Sequence, residues 1–169
     1  YAFHGRNRKP QIKLAKSLGL ADWSQPAGGC CFLTNKGYSS KLSDLWTSRQ
    51  SREYDLDDII LLKVGRHVRP DHDFKLIIAR DEGESNYLKG YKSDYDFLTT
   101  TSHNGPNALI DGIASRQQKL LAAQIIARYS QGRSANEVTV ELTSKETGIS
   151  EALTVKPFED QGALETWHV

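Results

Sequence analysis

The sequence predicts an α+β fold, with helices packed on a mixed or antiparallel sheet and a small, mostly helical segment in front of it. Strands are indicated by the alternation of apolar and polar residues over 138–143, and by two apolar stretches that flank Pro70–Asp73 in the manner of a hairpin. A helix is indicated where Ser115 and Gln118 have the spacing of a capping box.

The first segment is expected to contain two helices. A proline in the first turn and a glycine just past the end predict a helix over 10–19. Apolar residues at helical spacing predict an amphipathic helix over 38–46, with Ser39 or Ser40 as its N-cap. The stretch 47–57 is polar and lacks periodicity, so we place a module boundary there and divide the chain into residues 1–50 and 51–169.

The second module alternates strands with helices. In chain order we expect hairpin strands over 64–69 and 74–80, a short helix over 82–91, strands over 95–101 and 107–110, a long helix from the capping box to Tyr129, and a final hairpin from 138–143 to Val155. Alanines at 122, 123 and 127 are expected to let the long helix pack closely on its neighbours.

Length and composition indicate a chain of 169 residues that can bury a core without disulfides or metals. Its apolar runs are much shorter than a membrane span, and no signal peptide is visible, so we expect no membrane partner. The start without methionine suggests a piece of a longer protein. Cys30 and Cys31 are adjacent and cannot form an unstrained disulfide, which favours a reducing, cytoplasmic setting.

The net charge of +1 conceals an asymmetry between the two modules. Residues 1–50 carry eight Lys and Arg against two acids, whereas residues 51–169 carry fourteen against nineteen. Arg6, Lys9, Lys13 and Lys16 recur at helical spacing and form a predicted basic stripe without an acidic residue. A stripe of this kind is compatible with a phosphate-rich partner, and the alternative is a solvated helix face.

The pair Cys30 and Cys31 is the most specific indication of chemistry in the sequence. A thiolate can attack an electrophile or carry sulfur as a persulfide, and glycines before Cys30 give the loop freedom to deliver it. The alternative is that both cysteines are small buried hydrophobic residues. No Cys or His spacing indicates a metal site, so none is expected.

Further candidates lie in the second module. Five basic residues cluster on the predicted hairpin and could face phosphate, namely Lys63, Arg66, Arg69, Lys75 and Arg80. They could instead pair with nearby acids such as Asp71, Asp73 and Glu84. His103 begins the turn His103-Asn104-Gly105-Pro106 and could act as an imidazole at a strand end, or could simply be exposed to solvent. Dinucleotide, Walker and nucleophile-elbow motifs are absent, so we expect no cofactor in the chain itself.

The first module resembles the end of the PP-loop module of bacterial tRNA 2-thiouridylase-like proteins. The resemblance is carried by Gly5–Gln11, Pro26–Cys30 and Leu42–Leu45, and Gly29–Thr34 is similar to the Gly-x-Cys-Phe-Ile-Gly stretch around a catalytic cysteine. It implies that Cys30 or Cys31 relays sulfur to tRNA, that a sulfur-donor protein is a partner, and that ATP binds to a domain upstream of this chain.

Residues 58–133 resemble the NFACT-R domain, the RNA-associated module of ribosome quality-control factors. The resemblance is carried by Gly65–Arg69, by Ile78–Arg80 with Glu84–Asn86, by His103–Pro106, and by Ala122, Ala123 and Ala127–Ser130. It implies an α+β fold that binds tRNA or other structured RNA, with Arg66, Arg69, Arg80, Asn86 and His103 as contact residues.

Three hypotheses follow from the sequence. The first is the C-terminal part of an ATP-dependent, tRNA-thiolating sulfurtransferase. The second is an RNA- or ribosome-binding module of the NFACT-R type without catalysis, and the third is a protein-docking domain. If RNA crosses both modules, the basic stripe and the hairpin arginines should face the same side.

Overall fold

The computed structural model describes residues 3, 8–20, 22 and 32–169. Contacts divide the chain into Tyr1–Phe32 and Leu33–Val169, whereas the sequence predicted a boundary near residue 50. In the first unit, helix α1 spans Lys9–Ser17, and its proline lies in the first turn, as predicted.

The second unit confirms the predicted α+β fold. Its helices are α2 (Lys36–Arg49), α3 (Leu56–Leu61), α4 (Glu82–Leu88), α5 (Arg116–Arg128) and α6 (Gln161–Thr166). Its strands are β1 (Arg66–Asp71), β2 (Phe74–Ile78), β3 (Asp96–Thr100), β4 (Asn107–Gly112), β5 (Val138–Thr143) and β6 (Ser150–Val155). They form one antiparallel sheet in the order β1-β2-β4-β3-β5-β6.

Local capping accounts for where several helices begin. The predicted capping box of Ser115 and Gln118 is present, and the two residues bond reciprocally at the start of α5. Helix α2 is capped by Asn35, whose side chain accepts from the Tyr38 N–H, so the prediction of a serine cap was wrong. The short helix α3, which the sequence analysis missed, is capped by Asp55.

The sheet separates two sets of helices. On one face, the main core lies between the sheet and α5 and includes Val68, Leu76 and Ile78. Ala122 and Ala123 of α5 are fully buried there. On the other face, a second cluster joins the sheet to α3 and α4, and a third joins α2 to α3. The predicted close packing of the alanine-rich helix is confirmed.

A buried ionic network attaches α2 to the second face of the sheet. Lys75 of β2 is 1% exposed, and its Nζ lies 3.2 Å from Asp111 and 3.5 Å from Asp44. Arg69 binds the same Asp44 through Nε at 2.5 Å and Nη2 at 2.9 Å. Each charged side chain of this network therefore has a partner of opposite sign, which offsets part of the cost of removing the buried Lys75 from water.

His67 lies in the same layer and is 1% exposed. Its Nε2 lies 3.1 Å from the carbonyl oxygens of Leu61 and Val64, which can only accept, so Nε2 carries the proton. Burial, with the nearby charges of Lys75 and Lys41, holds the pKa of His67 well below its usual range. The imidazole is therefore neutral in the folded protein.

We predict that the free energy of unfolding falls between pH 7 and pH 5. The unfolded chain binds a proton at His67 near pH 6.5, whereas the folded protein does not, so acid favours unfolding. The slope should approach about 1 kcal/mol per pH unit, measured by denaturant unfolding. In His67→Gln the free energy of unfolding should change less with pH between pH 7 and pH 5. An unchanged slope in that variant would contradict the prediction.

Gly65 determines the path of the backbone into β1. Its φ is +69°, and a Cβ there would lie 2.5 Å from the Ile78 carbonyl oxygen and 3.0 Å from the Ile78 carbonyl carbon. Both the left-handed backbone and the close approach of β2 require glycine. We predict that Gly65→Ala lowers the free energy of unfolding by roughly 2–4 kcal/mol.

The matched control for Gly65→Ala is Gly90→Ala, because a Cβ at Gly90 meets nothing within 4 Å. The control should change stability by less than about 0.5 kcal/mol in the same denaturant titration. Equal effects of the two substitutions would show that the Gly65 geometry is not a constraint.

Candidate nucleic-acid interface

A groove of about 1100 Å³ crosses one end of the sheet. Strand pairing brings the start of β1, the end of β2, the start of β4 and the end of β3 to this same end. We call it the basic groove, and its lining comprises Arg66, Ala79–Glu82, Ser85, Asn86, Lys89, Thr99, Asn104–Asn107, Arg128–Gln131 and Arg133.

Positive charge dominates this lining. Five cationic side chains, Arg66, Arg80, Lys89, Arg128 and Arg133, face two acidic residues, Asp81 and Glu82. The Asp81 carboxylate is engaged as the N-cap of α4, where it accepts the Glu84 N–H at 2.9 Å. Positive charges in the lining exceed negative ones by three, or by two once Glu84, just outside the lining, is set against Arg80, so the groove suits an anionic ligand.

Arg80 and Glu84 stabilise the turn from β2 into α4. The two side chains form an ion pair, and the Glu84 carboxylate also accepts the Arg80 backbone N–H at 2.7 Å. The hydrogen bond from the Arg80 side chain, with those from backbone N–H groups, lowers the pKa of Glu84 to about 2. Within residues 8–20 and 32–169, the other four groove cations form no ion pair with a carboxylate.

Arg66 and Tyr129 form the inner wall of the groove. The guanidinium carbon of Arg66 lies 5.5 Å from the centroid of the Tyr129 ring, within cation-π range. The Tyr129 hydroxyl lies 3.0 Å from Nε2 of His168, which holds the ring from the C-terminal segment. Burial raises the pKa of Tyr129, so its hydroxyl stays protonated.

The turn at residues 103–106 forms one end of the groove and is pressed against the end of α5. The Gln131 N–H donates to the Asn104 carbonyl oxygen at 2.8 Å. A Cβ at Gly105 would lie 2.5 Å from the Thr100 hydroxyl and 2.7 Å from the Ser130 Cβ, so only glycine fits this contact. The turn at residues 103–106 therefore packs against the end of α5 and helps to shape the groove.

Residues 65–168 match the sequence profile of the NFACT protein RNA binding domain. The match spans more than half of the chain and includes every strand and every groove residue. The chain belongs to this family. The NFACT-R resemblance is thus confirmed, while nothing in the comparisons supports the PP-loop thiouridylase resemblance of the first module.

Among solved structures, this NFACT RNA-binding domain is similar to the C-terminal part of the fibronectin/fibrinogen-binding protein from Streptococcus suis. The superposition has a TM-score of 0.52 and 14% sequence identity, and it covers 79% of this chain and 67% of that chain. At this identity the similarity establishes a shared fold. A comparison with curated proteins gives no match by sequence.

The structure brings three of the predicted contact residues together, since Arg66, Arg80 and Asn86 all line the groove. Arg69 lies elsewhere, because odd spacing from Arg66 turns it to the opposite face of the sheet, where Asp44 neutralises it. His103 is outside the lining and packs on Gly132, where a Cβ would lie 2.8 Å from its ring.

The remaining predicted residues belong to the first unit. Lys9, Lys13 and Lys16 lie on α1 and are exposed. Arg6, Cys30 and Cys31 lie outside the described residues. The common orientation of the basic stripe and the hairpin arginines stays a prediction.

Four residues that line the groove were not predicted from the sequence: Lys89, Arg128, Tyr129 and Arg133. The signal for two of them was present, because Arg128 and Tyr129 are part of the stretch that carried the family resemblance. No metal cluster of three or more His, Cys, Asp or Glu side chains occurs in the described ranges, and no helix in them is long and apolar enough to cross a bilayer.

We predict that Gly105→Ala loosens the end of the groove. The added methyl group overlaps Thr100 and Ser130 and should lower the free energy of unfolding by about 1–3 kcal/mol. Hydrogen exchange at the Gln131 amide, which bonds to Asn104, should accelerate relative to amides inside α5. Unchanged protection at Gln131 would show that the turn does not depend on this contact.

Proposed function

We propose that this domain binds RNA through the basic groove. The observation that carries the proposal is the convergence of Arg66, Lys89, Arg128 and Arg133, from three separate stretches of chain, on one groove that crosses the end of the sheet. Membership of an RNA-binding domain family supports the choice of nucleic acid as the anion.

The chemistry of the lining suits a phosphodiester backbone. Arginine offers a planar fork of donors that fits phosphate oxygens, and lysine adds a mobile point charge. Lys89 Nζ lies 3.0 Å from the Asn86 amide oxygen, and Arg128 donates to Gln161 at 3.2 Å. Both contacts are with neutral groups, so the positive charges remain available for phosphate.

Of the three sequence hypotheses, the binding module agrees best with these observations. Transfer of sulfur would depend on Cys30 or Cys31 and on an ATP-binding domain, and the family match lends support only to RNA binding. We therefore propose the NFACT-R-type binding role, with tRNA or another structured RNA as the partner. The sulfur-donor protein is not part of this proposal.

We predict that removing cations from the groove weakens RNA binding and its salt dependence together. Arg128→Ala and Arg133→Ala should each lower the slope of log K against log salt concentration by about one unit per lost phosphate contact. Affinity of the full chain for a tRNA transcript is measured by fluorescence anisotropy at several potassium chloride concentrations.

The control is Lys156→Ala, which removes one exposed positive charge outside the groove. It should leave both affinity and salt slope close to those of the unaltered protein. If the unaltered protein fails to bind RNA at low salt, or if Lys156→Ala acts as strongly as Arg128→Ala, RNA binding by this groove is refuted.

A further inference from the structure

We propose that the basic groove receives an unpaired nucleotide, whose base stacks on the guanidinium group of Arg66. This inference rests on the proposed RNA binding and specifies which part of an RNA enters the groove. Four observations carry it: the Arg66–Tyr129 pair, the support behind that pair, the size of the groove and the mixed chemistry of its lining.

Arg66 is placed as a stacking surface. Its guanidinium carbon lies over the Tyr129 ring at 5.5 Å from the centroid, and its Nη1 lies 3.5 Å from the Ala79 carbonyl oxygen. An arginine that is backed by an aromatic ring can present its other face to a base, and arginine planes and aromatic rings are common stacking partners of unpaired RNA bases. The proposed order is therefore the Tyr129 ring, the Arg66 guanidinium group and then the base.

Both members of this pair are positioned by neighbouring groups. The left-handed Gly65 sets the backbone immediately before Arg66, and the Tyr129 ring is held at its hydroxyl by His168. Immobilising a stacking partner before the ligand arrives reduces the entropy that binding would otherwise lose. A phosphate ligand needs no such arrangement, because a flexible exposed cation is sufficient for it.

Size and lining chemistry favour a nucleotide over a double helix. At about 1100 Å³, the groove is slightly larger than the roughly 300–1,000 Å³ of typical small-molecule pockets, so it has room for a nucleotide. Inside a duplex both faces of each base are covered by the neighbouring base pairs, so an internal base cannot stack on Arg66. Thr99, Asn104 and Gln131 also line the groove and offer uncharged hydrogen-bonding groups for a base edge.

Substitution of Arg66 by lysine separates stacking from charge. Arg66→Lys keeps the positive charge but removes the planar group, so it should weaken binding of an unstructured twelve-nucleotide RNA about tenfold without changing the salt slope. Arg116→Lys, at an exposed position outside the groove, is the matched control and should bind like the unaltered protein. Thermal melting of both variants verifies that they are folded.

A direct readout of stacking uses the same RNA with one adenine replaced by 2-aminopurine, whose fluorescence is quenched on stacking. The unaltered full-length chain should quench the probe and Arg66→Lys should not, and a blunt-ended duplex of equal length should compete weakly. Equal competition by the duplex, or full binding and quenching by Arg66→Lys, would overturn the inference while leaving RNA binding intact. Absence of RNA binding by the unaltered chain would overturn both proposals.

Discussion

Helix α5 rests on the sheet through Ala122, Ala123 and Ile126, whose side chains are fully buried. Small side chains let the helix approach the strands closely, and this contact determines where α5 lies on the sheet. The residues just beyond its apolar stretch, Arg128 to Ser130, are consequently delivered to the end of the sheet at which β1 and β4 begin. The packing that stabilises the main core therefore also builds one wall of the basic groove.

Positively charged side chains have acidic partners on the α2 side of the sheet, whereas most of those in the basic groove do not. On the α2 side, Lys75 and Arg69 are balanced by Asp44 and Asp111, and these ion pairs link helix to sheet inside the protein. At the groove end, by contrast, most cations contact neutral groups or an aromatic ring. Side chains alternate between the two faces along β1. Arg66 therefore lines the groove, whereas Arg69 forms an ion pair with Asp44 on the opposite face.

The features that were predicted correctly from the sequence are those determined by residues close together in the chain. The hairpin and the capping box at Ser115 depend on residues that are close in sequence, and both were predicted correctly. The short helix α3 and the pairing of the C-terminal segment with β1, through the Arg69 N–H and the Trp167 carbonyl oxygen, were missed because neither has a periodic pattern. Arg133 was missed as a groove residue because only the folded chain brings it near Arg66.

The residues that carried the family resemblance fall into two physical classes. Gly65 and Gly105 are required where backbones approach too closely for a side chain, whereas Arg66, Arg80 and Arg128 line the space that those approaches define. The first class explains why the groove has its shape, and the second explains why its interior is positive. A motif that combines both classes specifies a surface for an anion together with the geometry that holds it, and it requires no nucleophile or general base to do so.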